Sequence, residues 1–135
     1  MTNCLFCKII NKEIPADIIY EDDSVIAFLD IAPVNPGHTL LIPKKHATDI
    51  LDSDPQSLSD LIKVSPKISK AVIDSVNATG FNFYQNNGEV AGQAVLHLHF
   101  HIIPRFEGDG HELFKGTPME FEKLKQIAEK IKTKL

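Results

Sequence analysis

A chain of 135 residues, 43% apolar and 24% charged, has the material for one folded domain with a buried core and is too apolar to be a disordered tail. A net charge of −4 argues against a broad nucleic-acid surface, although it leaves room for a local pocket that takes one phosphate. No stretch offers the roughly 18 apolar residues of a membrane helix, and "MTNCLFCKIINKE" lacks the basic start and apolar run of a signal peptide. The expectation is a soluble cytosolic protein without nucleic-acid or membrane partners, in which Cys4 and Cys7 stay reduced.

In chain order, "LFCKIINKE" predicts a short helix, and "ADIIYEDD" and "SVIAFLD" predict two strands joined at Asp22 and Asp23. "NPGHTLLIPK" opens with a turn at residues 35–37 and continues as a strand. Leu58, Leu61, Ile62, Ile68, Val72 and Val76 recur at helical spacing, with Ser53 or Asp54 as the cap before Pro55. Pro66 predicts a kink there or two separate pieces. "GFNFYQNN" predicts another strand. The last element, about residues 118–134, is an amphipathic helix with Phe121, Leu124, Ile127, Ala128 and Ile131 on one stripe.

Between these lies "GQAVLHLHFHIIPR", residues 92–105, which carries three of the six histidines at alternate positions: His97, His99 and His101. Alternation with Leu96, Leu98, Phe100 and Ile102 predicts a strand with one apolar face and one face of imidazoles, ending near Pro104. The sum is a single α+β domain over residues 1–135, a five-stranded antiparallel sheet with helices packed outside it. Neither GxGxxG nor a phosphate-loop signature is present.

Three histidines in line on a strand do not suit one metal. The outer two lie roughly 13 Å apart at about 3.3 Å per residue, whereas zinc sits about 2 Å from each ligand nitrogen. Cys4-x-x-Cys7 has the spacing of half a zinc site, and equally that of a redox pair or two small buried residues. If it is half a site, His46 and His97 are the candidates for the other half. Two thiolates and two neutral imidazoles would close a tetrahedral, structural shell with no position left for water. His99 and His101 then remain for chemistry. A neutral imidazole is a competent nucleophile near pH 7, so His99 can attack phosphorus while His101 donates to a phosphate oxygen or carries a proton. Gly92 permits close backbone approach to a phosphate. Arg105 reads as a solvated charge.

The "HLHFH" stretch resembles the HxHxHxx signature of the histidine triad (HIT) family, and residues 7–46 resemble the histidine triad nucleotide-binding branch almost throughout. The resemblance covers about residues 4–105. The C-terminal helix looks like that of the longer bacterial-type members. The resemblance implies the HIT fold, a homodimer with joined sheets, and hydrolysis of purine nucleoside phosphoramidates or related nucleotides at the α-phosphate. It implies His99 as nucleophile, through a covalent nucleotidyl-histidine, and His101 as the phosphate contact. It implies Asp30 at the ribose hydroxyls, which a carboxylate can accept, and Ile9, Phe28, Leu29 and Ile31 as walls of the base pocket. Asn86, Gly92 and Gln93 match residues on the phosphate side, and His38 matches a histidine beside the triad. Without the resemblance, Ile9, Phe28 and Ile31 read as core, a reading kept for Ile31; Asp30 reads as a turn cap and Asn86 as a turn residue. Cys-x-x-Cys with a later histidine and the first triad histidine resembles the zinc-containing members and the related galactose-phosphate uridylyltransferases. Ala94 stands where the animal-type branch has a serine that can hydrogen-bond near the leaving group. The alternatives are a nucleotide-binding regulatory protein with residual catalysis, a nucleotidyl transferase, and a metal-dependent hydrolase; the last needs an open coordination position that the four proposed ligands would close.

Overall fold

The computed structural model describes residues 3–135, so Met1 and Thr2, the first two residues of the leader and domain readings, lie outside it. Helix α1 spans Leu5–Ile10, followed by strands β1 (Ile18–Glu21), β2 (Val25–Leu29) and β3 (Thr39–Pro43). Helix α2 (Pro55–Val76) crosses to β4 (Gly80–Gln85); a single 3-10 turn at Glu89–Ala91 precedes β5 (Phe100–Arg105), and α3 (Phe121–Lys132) closes the described chain. The five strands form one sheet in the order β1-β2-β3-β5-β4, with every neighbouring pair antiparallel.

Strands β2 and β3 are continuous apolar runs because both faces of the sheet are covered. Val25, Ala27 and Leu41 join Phe100 and Ile102 in packing against Leu61, Ile68 and Val72 of α2. Ile26, Phe28, Leu40 and Ile42 pack on the opposite face against Phe6 and Ile9 of α1. The β1–β2 turn is fixed by Asp22, whose Oδ1 accepts from the main-chain N–H of Ser24 and of Val25, each at 2.8 Å.

Asp54 caps α2, accepting from the Ser57 N–H at 3.1 Å, and Pro55 follows inside the first turn. The helix does not divide at Pro66 but runs unbroken for 22 residues. Pro66 has no N–H to give the Ile62 carbonyl; the hydroxyl of Ser65 donates to that carbonyl instead, at 2.8 Å.

One further expectation is corrected. The histidine segment is a strand only from Phe100 onward, and it continues through Pro104 to Arg105. His97 and His99 lie ahead of it in irregular chain, where the Leu98 N–H donates to the Ala47 carbonyl at 2.8 Å, beyond the end of β3. Pro104 is tolerated because β3 pairs only with Phe100, His101 and Ile102, and the Pro104 carbonyl accepts from Asn35 at 2.9 Å. Helix α3 forms within the predicted span, but its stripe is uncovered in the single chain: Phe121 is 90% and Ile131 55% exposed. Helices α1 and α2 cover the sheet; α3 does not. No described helix is long and apolar enough to cross a membrane.

Candidate functional site

Two side-chain clusters meet at His97 and His99. The first joins Cys4 and Cys7 from the start of α1, His46 from just past β3, and His97, which is fully buried. Cys4 caps α1, its Sγ accepting from the Cys7 N–H at 3.4 Å, and this turn points both sulfurs the same way. The Nδ1 atom of His97 lies 3.4 Å from Cys4 Sγ, 3.6 Å from Cys7 Sγ and 3.1 Å from His46 Nδ1, and His46 Nδ1 lies 3.4 Å from Cys7 Sγ. Ordinary zinc bond lengths give a tetrahedron with edges of about 3.3–3.8 Å, so the four atoms stand close to the spacing of a filled shell. The chemistry also fits. His97 Nε2 donates to the Pro43 carbonyl at 2.9 Å, so its Nδ1 carries the lone pair. Burial pushes His97 down to about 4, which keeps the ring neutral. Burial, with Cys4 beside it, pushes the Cys7 thiol up to about 11; a bound cation reverses that preference, since a coordinated thiol is held as thiolate.

The second cluster is His99, His101, His38, Asp30 and Tyr84. Its proton positions follow from main-chain groups that can act in only one sense. A carbonyl only accepts, so His99 Nδ1, 2.7 Å from the His97 oxygen, carries the hydrogen and leaves a lone pair on Nε2. An amide N–H only donates, so His38 Nδ1, 3.0 Å from the Val34 nitrogen, accepts. Neutral His38 then has its hydrogen on Nε2 and donates it to His101 Nδ1 at 2.9 Å, which leaves His101 with a hydrogen on its own Nε2. Burial lowers all three rings, His101 to about 4, with the Asp30 carboxylate opposing each shift. The cluster therefore offers one nitrogen lone pair beside one N–H donor.

Asp30, His38 and His101 also bring three ligand-type atoms together. They do not suit a metal. A ligating histidine gives its second nitrogen's hydrogen away, as His97 does; His38 instead receives one there, and its Nε2 hydrogen is already committed to His101.

The other predicted residues divide. Asp30 Oδ1 caps the next turn, accepting from the Ala32 N–H at 2.8 Å, and Oδ2 lies 3.7 Å from His38 Nε2. Ile9 and Phe28 are buried beside Phe6, with the Phe6 and Phe28 rings 5.4 Å apart. Leu29 is not with them; it lines a separate groove under α2 with Ile19 and Val72. Ile31, read as core, is 97% exposed, because β2 has ended and the loop lies open next to Asp30. Asn86 and Gly92 share a wall. Gly92 has φ 96°, and a Cβ there would stand 3.3 Å from the Asn86 amide nitrogen. Both line a cavity of about 660 Å³ with Tyr84 and residues 111–114. The Gln93 side chain turns inward: it accepts from the Gly88 N–H at 2.8 Å and donates to the Thr48 and Val95 carbonyls at 2.6 and 3.1 Å. Arg105 is not a free charge either, since its guanidinium grips Asp109 at 2.8 and 2.9 Å.

Sequence reading missed three partners. Tyr84 stacks on His101, with centroids 4.7 Å apart and planes at 16°. Phe6 meets His99 edge-on at 5.1 Å, and the Val34 N–H fixes His38. Only the Tyr84–His101 pair had an available signal, the β4–β5 register that sets them opposite each other.

Comparison with known proteins extends this geometry. Residues 11–108 match the HIT domain. The chain is 39% identical over 140 residues to a Candida albicans protein named adenosine 5'-monophosphoramidase, across 98% of this chain and 91% of that one. Among solved structures, a Streptococcus mutans protein superposes with a TM-score of 0.95 at 41% identity, covering 99% of this chain and 86% of that one. A zinc-bound histidine triad protein from Mycobacterium smegmatis superposes at 0.77 and 35% identity, covering 96% and 98%.

Proposed function

The chain belongs to the HIT domain family, and on that premise we propose that it is a nucleotide-binding hydrolase that cleaves purine nucleoside phosphoramidates, or related nucleotides, at the α-phosphate. The observation that carries this reading is the pairing of a bare His99 Nε2 with the Nε2–H of His101, both rings neutral, the first buried and the second half-buried. His99 Nε2 attacks the α-phosphorus while the His101 Nε2–H donates to a phosphate oxygen, and the phosphorus–nitrogen bond breaks as the amine, protonated from water, departs. The product on the protein is a nucleotidyl-histidine. Water then attacks the same phosphorus, its proton returns to solvent, and His99 leaves with its lone pair restored. Asp30 Oδ2 suits the ribose hydroxyls; Ile9 and Phe28 suit the purine face; Asn86 and Gly92 suit the phosphate side.

Cys4, Cys7, His46 and His97 would hold one structural zinc per chain, which supplies a cross-link between the N-terminus, the end of β3 and the histidine segment. The named activity of the Candida albicans relative and the zinc of the Mycobacterium smegmatis relative support these two assignments. The uncovered stripe of α3 supports a homodimer, and the net charge of −4 suits a small nucleotide better than a nucleic acid as partner.

Adenosine phosphoramidate turnover tests the reading. Wild type should release ammonia and the monophosphate, and a rapid quench should capture a nucleotide on His99. His99→Ala should lose turnover while nucleotide affinity stays within about tenfold. A correctly folded His99→Ala protein that still turns over would overturn the covalent route.

A further inference from the structure

We propose that His97 is a positioning residue that couples the metal cluster to the nucleophile, so that metal occupancy sets the direction of His99 Nε2. This rests on the reading of His99 as nucleophile and adds a control on it.

His97 is used at three points. Its Nδ1 faces Cys4, Cys7 and His46, its Nε2 donates to Pro43, and its carbonyl takes the hydrogen of His99 Nδ1 at 2.7 Å. The carbonyl is one Cα away from the ring. Residues 93–99 lie outside the sheet ladders, so strand pairing does not fix this peptide. The neighbouring Leu98 N–H, bonded to Ala47, and the His97 ring hold it instead. A second link runs through α1. This helix has six residues, too few to persist without tertiary anchorage; it carries Cys7 and Phe6, and Cys4 caps it. The Phe6 ring packs edge-on against both His97 and His99, at 6.0 and 5.1 Å. Ligands and buttress therefore move as one unit, and two independent contacts carry the state of the cluster to the His99 ring.

The experiment reads the His99 ring directly. In zinc-loaded, 15N-histidine-labelled protein, long-range 1H–15N spectra at pH 7 should show His99 as a single Nδ1–H tautomer. Exchange of zinc for cadmium, which keeps the protein folded and changes the metal–sulfur distances, should shift the His99 signals while those of His111 stay fixed. Chelation should leave His99 as a mixture of tautomers and lower kcat by about tenfold or more, with KM less affected. His46→Cys, which retains four donors, should restore the single tautomer; His46→Ala should not. His99 signals that stay unchanged on cadmium exchange, or a protein that takes up no metal at these residues, would overturn the coupling. A His99→Ala protein with full turnover would instead remove the functional reading and leave the spectroscopic coupling standing, so the two failures are distinguishable.

Discussion

His38 Nε2 lies 2.9 Å from His101 Nδ1, and the proton between them is directed from outside the pair, by the Val34 main-chain N–H that occupies the far side of His38. An amide that never touches substrate thus makes His101 a donor at Nε2 without charging it. In His38→Ala, His101 keeps its ring but loses this constraint, and its hydrogen can sit on either nitrogen. We expect kcat to fall by about tenfold to a hundredfold, the worth of one buried hydrogen bond of about 1–3 kcal/mol, with KM little changed. Steady-state kinetics of the folded variant check this; an unchanged kcat would show that His101 needs no director.

Protonation provides a second test. Burial holds His101 at about 4 and His99 below 6.5, against the pull of Asp30. The neutral rings are the competent ones, so kcat/KM should stay level as pH drops through 6.5 and fall only below it. Stability should follow the same sign. Where the folded value is depressed, the unfolded chain binds more protons between about 4 and about 6.5, so stability is complete above that window and lost as pH falls through it. His101→Gln removes one such group and should flatten the melting temperature against pH there. An identical slope in wild type and variant would exclude His101 as its source.

Gln93 fastens three loops through one carboxamide. Gln93→Leu keeps the volume and strands the Gly88 N–H and two carbonyls, so the variant should lose about 2 kcal/mol or more. Because the 88–92 segment carries Gly92 and packs on Asn86, nucleotide KM should rise as well. Thermal melts and KM together check it. A stable variant with a raised KM would return Gln93 to direct nucleotide contact.

Ala94 is exposed between two inward-turned neighbours, so a hydroxyl there has room. If that hydroxyl assists departure of a poor leaving group, Ala94→Ser should raise kcat/KM for amine leaving groups by a few-fold to about tens-fold, the scale of a hydrogen bond of about 0.5–1.5 kcal/mol. Acyl-phosphate leaving groups should be indifferent. A leaving-group series on both proteins measures it; equal effects across the series would show that position 94 takes no part.

If the stripe of α3 packs on a second copy, the melting temperature should rise with protein concentration. Leu124→Glu with Ile131→Glu should abolish that rise, and light scattering should give a dimer mass for wild type alone. A monomer mass at micromolar wild-type protein would refute the assembly.

Much of the site was legible from ligand chemistry. Cys4, Cys7, His46 and His97 announce themselves by side-chain type, and the structure brings all four together. What the pattern misread was backbone. Alternation placed His97 and His99 on a strand, yet the chain there is bent, held by Leu98 on Ala47 and by the histidine rings themselves. Hydropathy misjudged Ile31 because β2 ends at Leu29, and a loop residue past that end is no longer held against the core. Pro66 does not divide the helix, and the hydroxyl that takes up the Ile62 carbonyl, on Ser65, stands one residue away and reads as an ordinary polar residue. Tyr84 needed the register, and Val34 and Pro43 act through main-chain atoms that every residue possesses.

The strand order has a consequence for biosynthesis. Strand β5 is the last to leave the ribosome and lies between β3 and β4, both made before it. Until about residue 105 has emerged, β3 and β4 have no neighbour on the sides that later pair with β5, and such unpaired strand sides are templates for aggregation. Three of the four metal-type ligands emerge well before His97, which completes the set. A nascent chain emerged only as far as residues 86–96 therefore displays an open sheet with its cysteines free, and should call on chaperones far more than one emerged past Arg105.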